Sequence, residues 1–177
     1  MRQLLVVFAV IGLGMALFLR EGIAWVKSPS GEARLASHPI RVDFDGDVQL
    51  LGYDLRKVQP DDYWRVSLYW WFNPALADGD PINAFVHLVD ANGQIVAQSD
   101  KFAVNAVTGQ SGWRDEMHVR DTYHLFLPDD LPPGDLRLRV GLWVCAEDTP
   151  AFDCADPQPL AASVEGVLLP EPFIYLP

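Results

Sequence analysis

Ala84 to Asp100, AFVHLVDANGQIVAQSD, constrains the fold of this chain more than any other stretch. Two extended runs, Phe85–Val89 and Ile95–Gln98, flank Asn92-Gly93. That pair enters left-handed backbone readily and is the strongest short-range signal for a β-hairpin. A two-residue turn sets Val89 opposite Val96 and His87 opposite Gln98. A three-residue turn with Gly93 left-handed slips the register by one, so that His87 faces Ala97. Neither register separates apolar from polar, because Val86 and Leu88 point one way and Phe85 and Val89 the other. A strand apolar on both faces belongs inside a packed sheet, so the stretch predicts a core hairpin, with His87 a hydrogen-bonded structural residue.

No long stretch beyond it spaces its apolar residues at the helical period. Short runs separated by turn residues recur instead, which is the pattern of an antiparallel sandwich or barrel. The runs are Ile40–Phe44, Val48–Leu55, Tyr63–Phe72, Ile82–Val89, Ile95–Gln98, Met117–Leu127, Leu136–Val144, Ala161–Leu168 and Phe173–Leu176. In Tyr63–Phe72, alternation puts Trp64, Val66, Leu68, Trp70 and Phe72 on one face, with Arg65, Ser67, Tyr69 and Trp71 opposite. In Leu136–Val144, Leu136, Leu138, Val140, Leu142 and Val144 share a face, with Arg137, Arg139 and Trp143 opposite. A period of two marks a half-buried strand, and the first set of each should line the core. Asp45-Gly46 and the Asp-, Gly- and Pro-rich segments around 60–62, 77–81 and 128–134 are turn chemistry. Lys101–Asp115 should cross between sheets or sheet edges. The prediction is an all-β antiparallel β-sandwich of 8–9 strands, jelly-roll or immunoglobulin-like, over residues 40–177, preceded by one N-terminal transmembrane helix.

That helix is Leu4–Leu19, sixteen uncharged residues behind Met1-Arg2-Gln3. It would span about 24 Å at about 1.5 Å per residue, short of a bilayer core of about 30 Å. Arg20 can snorkel and Trp25 can sit at the interface, which makes up the deficit. Residues 1–27 are read as an uncleaved anchor and 28–39, small and polar, as a linker. The competing reading is a cleaved signal peptide, for which no convincing small-x-small site follows. Residues 1–27 carry +2 of the formal net charge of −11, leaving −13 on the rest. A domain that acidic is repelled by phosphates, which argues against nucleic acid. Cys145 and Cys154, nine positions apart, lack CxxC spacing and a nearby His, so they predict a loop-closing disulfide. Such a bond belongs to an oxidising compartment, so the domain is expected on the extracytoplasmic side of the cell membrane.

LLGYDL at Leu50–Leu55, LYW at Leu68–Trp70, the hairpin at Phe85–Asp100, GW at Gly112–Trp113 and RDTYHLFLPDDLPPGDLRLRVGLW at Arg120–Trp143 follow one order. That order resembles the extracytoplasmic β-sandwich at the C-terminal end of bacterial membrane glycosyltransferases of the dolichyl-phosphate-mannose mannosyltransferase type. The resemblance covers about Asp43 to Trp143 and implies the fold and the compartment. In that family catalysis belongs to the membrane portion, which this chain lacks, so the resemblance transfers no catalytic residue. The cysteine loop and the tail from Asp156 are particular to this chain.

Four constellations merit weighing as chemistry. Gly109-Gln110-Ser111-Gly112-Trp113 resembles a nucleophile elbow but lacks the final Gly and sits in a loop. His118 and His124 share a strand face six positions apart, beyond one metal, and His87 could join one of them only across strands. Asp43, Asp45 and Asp47 alternate around Gly46, an oxygen-rich loop that calcium could enter and that is otherwise a solvated acidic turn. Tyr69, Trp71 and Trp143 lie opposite presumed core faces and form a candidate aromatic surface for sugars or proteins. The expected function is a non-catalytic membrane-anchored interaction module, an accessory subunit of a membrane complex or an envelope protein. The alternative is a carbohydrate-binding module beside a glycosyltransferase, and a cell-envelope hydrolase comes third.

Overall fold

The computed structural model describes residues 36–59, 63–78, 81–103, 117–145, 154 and 156–177. The predicted anchor at 1–27, the linker up to residue 35 and the Gly109–Trp113 motif lie outside the described residues. Among the described residues no helix is long and apolar enough to cross a membrane.

Two antiparallel sheets enclose one core. The strands are β1 (His38–Phe44), β2 (Val48–Val58), β3 (Tyr63–Phe72), β4 (Ile82–Val89), β5 (Ile95–Phe102), β6 (Met117–Phe126), β7 (Arg137–Val144), β8 (Gln158–Pro159), β9 (Ala162–Val164), β10 (Val167–Leu168) and β11 (Phe173–Leu176). One sheet runs β10-β9-β1-β2-β3-β6; the other runs β11-β7-β4-β5, with β8 paired to β7 beside β11. Eleven strands are described where eight or nine were expected. The run Ala161–Leu168 is two strands, folded at Glu165 and Gly166, both left-handed. Two successive left-handed residues suit the twist of a hairpin, and Asp45-Gly46 makes the same turn between β1 and β2. The first strand also begins at His38, two residues inside the expected linker.

Alternation fills the core as expected. Val66, Leu68, Trp70 and Phe72 of β3 meet Leu138, Val140 and Leu142 of β7, and all are buried. Each fully buried Leu, Val or Phe contributes about 1.5–3 kcal/mol of apolar transfer. In β2 the period breaks: Leu50 and Tyr53 both enter the core, while a bulge between Leu50 and Gly52 turns Leu51 outward. The hydroxyl of Tyr53 then donates to the carbonyl of Pro177, tying the last residue to β2.

Both predicted hairpin registers are partly right. The turn is three-residue, with Asp90 N–H donating to Gln94 C=O at 3.0 Å and Gly93 left-handed. Val89 accordingly faces Ile95, but a bulge between Leu88 and Val89 restores His87 to Gln98. The strand β4 is central, flanked by β7 and β5, whereas β5 is an edge.

The chain passes from β5 in one sheet to β6 in the other, the crossing expected of 101–115. The strand β5 outlasts its predicted end at Gln98 and carries Lys101 to the core side of the sandwich edge. Lys101 Nζ donates to Asp121 Oδ1 at 2.6 Å and to the Thr122 carbonyl at 2.8 Å. Asp121 is 3% exposed, on the core face of β6, and also accepts from the Tyr123 hydroxyl at 2.8 Å. Burial first, then the charge and hydrogen bond of Asp121, push the Tyr123 phenol well above its usual range. This ion pair clamps the two sheets where β5 and β6 are the outermost described strands.

Candidate functional site

Residues of β4 that face away from the core are Asn83, Phe85, His87 and Val89, since Ile82, Ala84, Val86 and Leu88 face it. Register then tiles the outer face of the second sheet in rows. One row reads Phe102, Asn83, Trp143, Pro159; the next Asp100, Phe85, Gly141, Phe173; the third Gln98, His87, Arg139, Tyr175. Facing positions of neighbouring strands are close enough for their side chains to touch, so this topology gathers aromatics from 85 to 175 onto one surface.

Glycine at 141 makes the middle row possible. A Cβ there would lie 2.3 Å from Phe85 Cζ and 2.9 Å from the Pro172 carbonyl oxygen, so the Phe85 ring occupies that space, over β7. Phe85 lies 4.6 Å from the His87 ring and 6.0 Å from Trp143, centroid to centroid. The Arg139 guanidinium sits 5.0 Å from the Phe173 centroid and 5.9 Å from that of Phe85, and Arg137 lies 4.4 Å over Tyr175. Such cation–π contacts are worth about 0.5–1 kcal/mol each when exposed. Phe85, Trp143, Phe173 and Tyr175 are all half-buried, so the rings are held without being covered.

His87 joins two opposite charges. Arg139 Nη2 lies 2.9 Å from His87 Nδ1, and Asp100 Oδ1 lies 2.9 Å from Nε2. A guanidinium only donates, so Nδ1 accepts and the imidazole proton sits on Nε2, donated to Asp100. His87 is therefore satisfied, as expected, but it belongs to an outer face rather than to the core. Its side chain is 13% exposed against 28% for Asp100, which leaves the carboxylate accessible and the imidazole shielded. Arg139 Nε is buried without a hydrogen-bond partner among the described residues.

The sequence-predicted site residues are dispersed. Trp143 lies in this face, while Tyr69 and Trp71 lie on the outer face of the other sheet, so the three do not form one surface. Tyr69 faces outward as alternation requires yet is only 3% exposed, packed with Leu51, Ala36 and Trp71. Its hydroxyl donates to Asp54 Oδ2 at 2.6 Å, and Asp54 Oδ1 accepts the Ser37 N–H at 2.6 Å. Burial first and the Asp54 bond second push the Tyr69 phenol up to about 12. Burial opposes ionisation of Asp54, but the bonds from Tyr69 and Ser37 and the nearby Arg120 bring its carboxyl below the usual range. The chain entering β1 thus covers this face, a tertiary effect that alternation cannot register.

The three aspartates of the candidate calcium loop are drawn apart as well. Asp43 Oδ2 accepts from Gln49 Nε2 at 3.0 Å, Asp45 Oδ1 from Ala161 N–H at 3.2 Å, and Asp47 Oδ1 from Asn73 Nδ2 at 2.7 Å. The three carboxylates diverge to hold three different segments. Among the described residues no group of three or more His, Cys, Asp or Glu is placed to hold a metal. Nor do the histidines converge: His38 stacks on Tyr53, His124 meets Tyr63 edge-on, and His118 pairs across to Trp71 on the sheet opposite His87. Cys145 and Cys154 do form a disulfide, with Cα atoms 6.0 Å apart.

The hairpin's assignment to the core concealed Phe85 as a site residue, and Phe102, Phe173 and Tyr175 lay in segments with no partner assigned. Alternation within Phe173–Leu176 is visible in the sequence, but its neighbour is not. No protein-family model, curated protein or solved structure matches the chain.

Proposed function

We propose that this protein is a non-catalytic interaction module, held at the cell membrane by Leu4–Leu19 with its sandwich on the extracytoplasmic side. It acts as an accessory domain and engages its partner through the outer face of the second sheet. One observation carries this reading: four half-buried aromatic rings and two guanidiniums stand on a single face. Aromatic residues and Arg dominate binding energy at recognition surfaces. The resemblance to glycosyltransferase sandwich domains supports the compartment and transfers no catalytic residue to this chain.

A second reading, a carbohydrate-binding module beside a glycosyltransferase, is favoured by Phe85, whose ring leans over Gly141 at the surface of the sheet. Flat aromatic faces suit the apolar side of a sugar ring.

Cross-linking in native membranes tests the module itself. The wild-type chain should give a discrete adduct or retain a glycan, and Trp143→Ala with Phe173→Ala should lose it while thermal unfolding stays cooperative. A wild-type chain that neither cross-links nor retains any ligand would remove the proposal.

A further inference from the structure

We infer that Phe85, bracketed by Asp100 and Arg139, is a subsite for a neutral sugar ring; this rests on the binding-face reading above. The Phe85 ring is the floor. Asp100 is an acceptor on one flank and Arg139 a donor on the other, each fixed by a 2.9 Å bond to His87. His87 spends both ring nitrogens on this task, so the bracket presents one negative and one positive group at fixed separation. Their charges cancel, so the pair by itself draws in neither an anionic nor a cationic ligand. A neutral ring with neighbouring hydroxyls satisfies both, since a hydroxyl donates to a carboxylate and accepts from a guanidinium. The exposure of Asp100 makes its carboxylate reachable, and Arg139 is half-buried, with its guanidinium 5.9 Å from the Phe85 centroid. The domain's net charge of −13 over residues 28–177 further disfavours acidic polymers. Trp143 at 6.0 Å and Phe173, in the row of Phe85, extend the floor toward β7 and β11 for neighbouring rings.

The test is affinity electrophoresis of the full chain in mild detergent, in native gels containing dextran, mannan, galactan or polygalacturonate. The expected result is retardation by at least one neutral polymer. Phe85→Leu, which keeps an apolar side chain but removes the plane, and Asp100→Ala should each weaken it by about tenfold, the scale of one aromatic contact. Thermal midpoints within a few degrees of wild type show that both variants are folded. The inference is overturned by no retardation in any neutral gel, by equal retardation in polygalacturonate, or by folded variants that migrate as wild type does. If no polymer retards the chain but Phe85→Leu abolishes a protein cross-link in native membranes, the face binds a protein and the sugar inference alone falls. If neither happens, both readings fall.

Discussion

A phenol buried against a carboxylate resists ionisation, and Tyr69 is held in that state by its 2.6 Å bond to Asp54. Its pKa of about 12 lies above the free value near 10. Stability from this group is therefore complete below about pH 10 and is lost as the pH rises through about 12. Asp54 has the opposite sign: its lowered carboxyl contributes above about pH 3.9 and that contribution is lost as pH falls through the folded value. Urea midpoints measured across pH should show Tyr69→Phe flattening both the alkaline loss and the acid loss, because Asp54 loses a donor that lowers its carboxyl. Parallel wild-type and variant profiles would refute the coupling. Gly141 offers a second residue-scale test. An added Cβ meets the Phe85 ring, which can swing, and the Pro172 carbonyl at 2.9 Å, which is backbone and yields little. Gly141→Ala should cost about 1–3 kcal/mol in chemical unfolding and raise the exposure of Phe85. An unaltered midpoint would mean that β11 relaxes freely.

Among the elements, β5 depends on one residue beyond its legible part. Its apolar alternation runs out near Gln98, yet the strand continues to Phe102 because Lys101 finds Asp121 and the Thr122 carbonyl on β6. Lys101→Met would strand a buried carboxylate and should cost about 3–5 kcal/mol, whereas Lys101→Met with Asp121→Leu should recover much of that. A double variant as unstable as the single would show that Asp121 matters through Tyr123 and not through Lys101. The same distinction separates what local sequence encodes from what it does not. Alternation in β3 and β7 and the Asn-Gly turn are local, so the core and the central hairpin were legible. A bulge is a compromise between a turn and a distant partner: the three-residue turn at Asp90–Gln94 sets one register, β7 and the core set the other, and Val96 absorbs the difference. The turn glycine can be isolated from that compromise. Gly93 is left-handed, and a Cβ added there would meet nothing within 4 Å. Gly93→Ala should therefore cost about 1–2 kcal/mol from backbone alone, and Gly93→Asn less. Equal stabilities for both would place the strain elsewhere.

At the scale of the molecule, the two outer faces have opposite fates. The face of the first sheet is partly roofed by the chain entering β1, through Ala36 and Ser37, and its aromatics become packing. The second keeps its rings half-open because β11 lies beside them in the sheet and not over them. Strand parity told which side chains point outward, and Trp143 was found that way. Which outward face stays uncovered depends on where the termini run, and for that reason Tyr69 and Phe85 exchanged roles. The disulfide bears on the same surface. Cys145 is buried at the end of β7, within 4.0 Å of Asn83 Nδ2, and Asn83 and Trp143 are neighbours in the first row. Closing a loop of nine-residue separation removes unfolded-chain entropy worth about 2.5–3 kcal/mol. Cys145→Ala with Cys154→Ala should therefore lower the unfolding free energy by about that amount, and reductant should do the same to the wild type. If β8 is held to β7 mainly by this bond, the reduced protein should also lose hydrogen-exchange protection first at Trp143 and Val144, which face Pro159 and Gln158. Protection unchanged there, with the midpoint shifted, would confine the bond's effect to the unfolded chain; a midpoint unmoved by reductant would remove its stabilising role altogether.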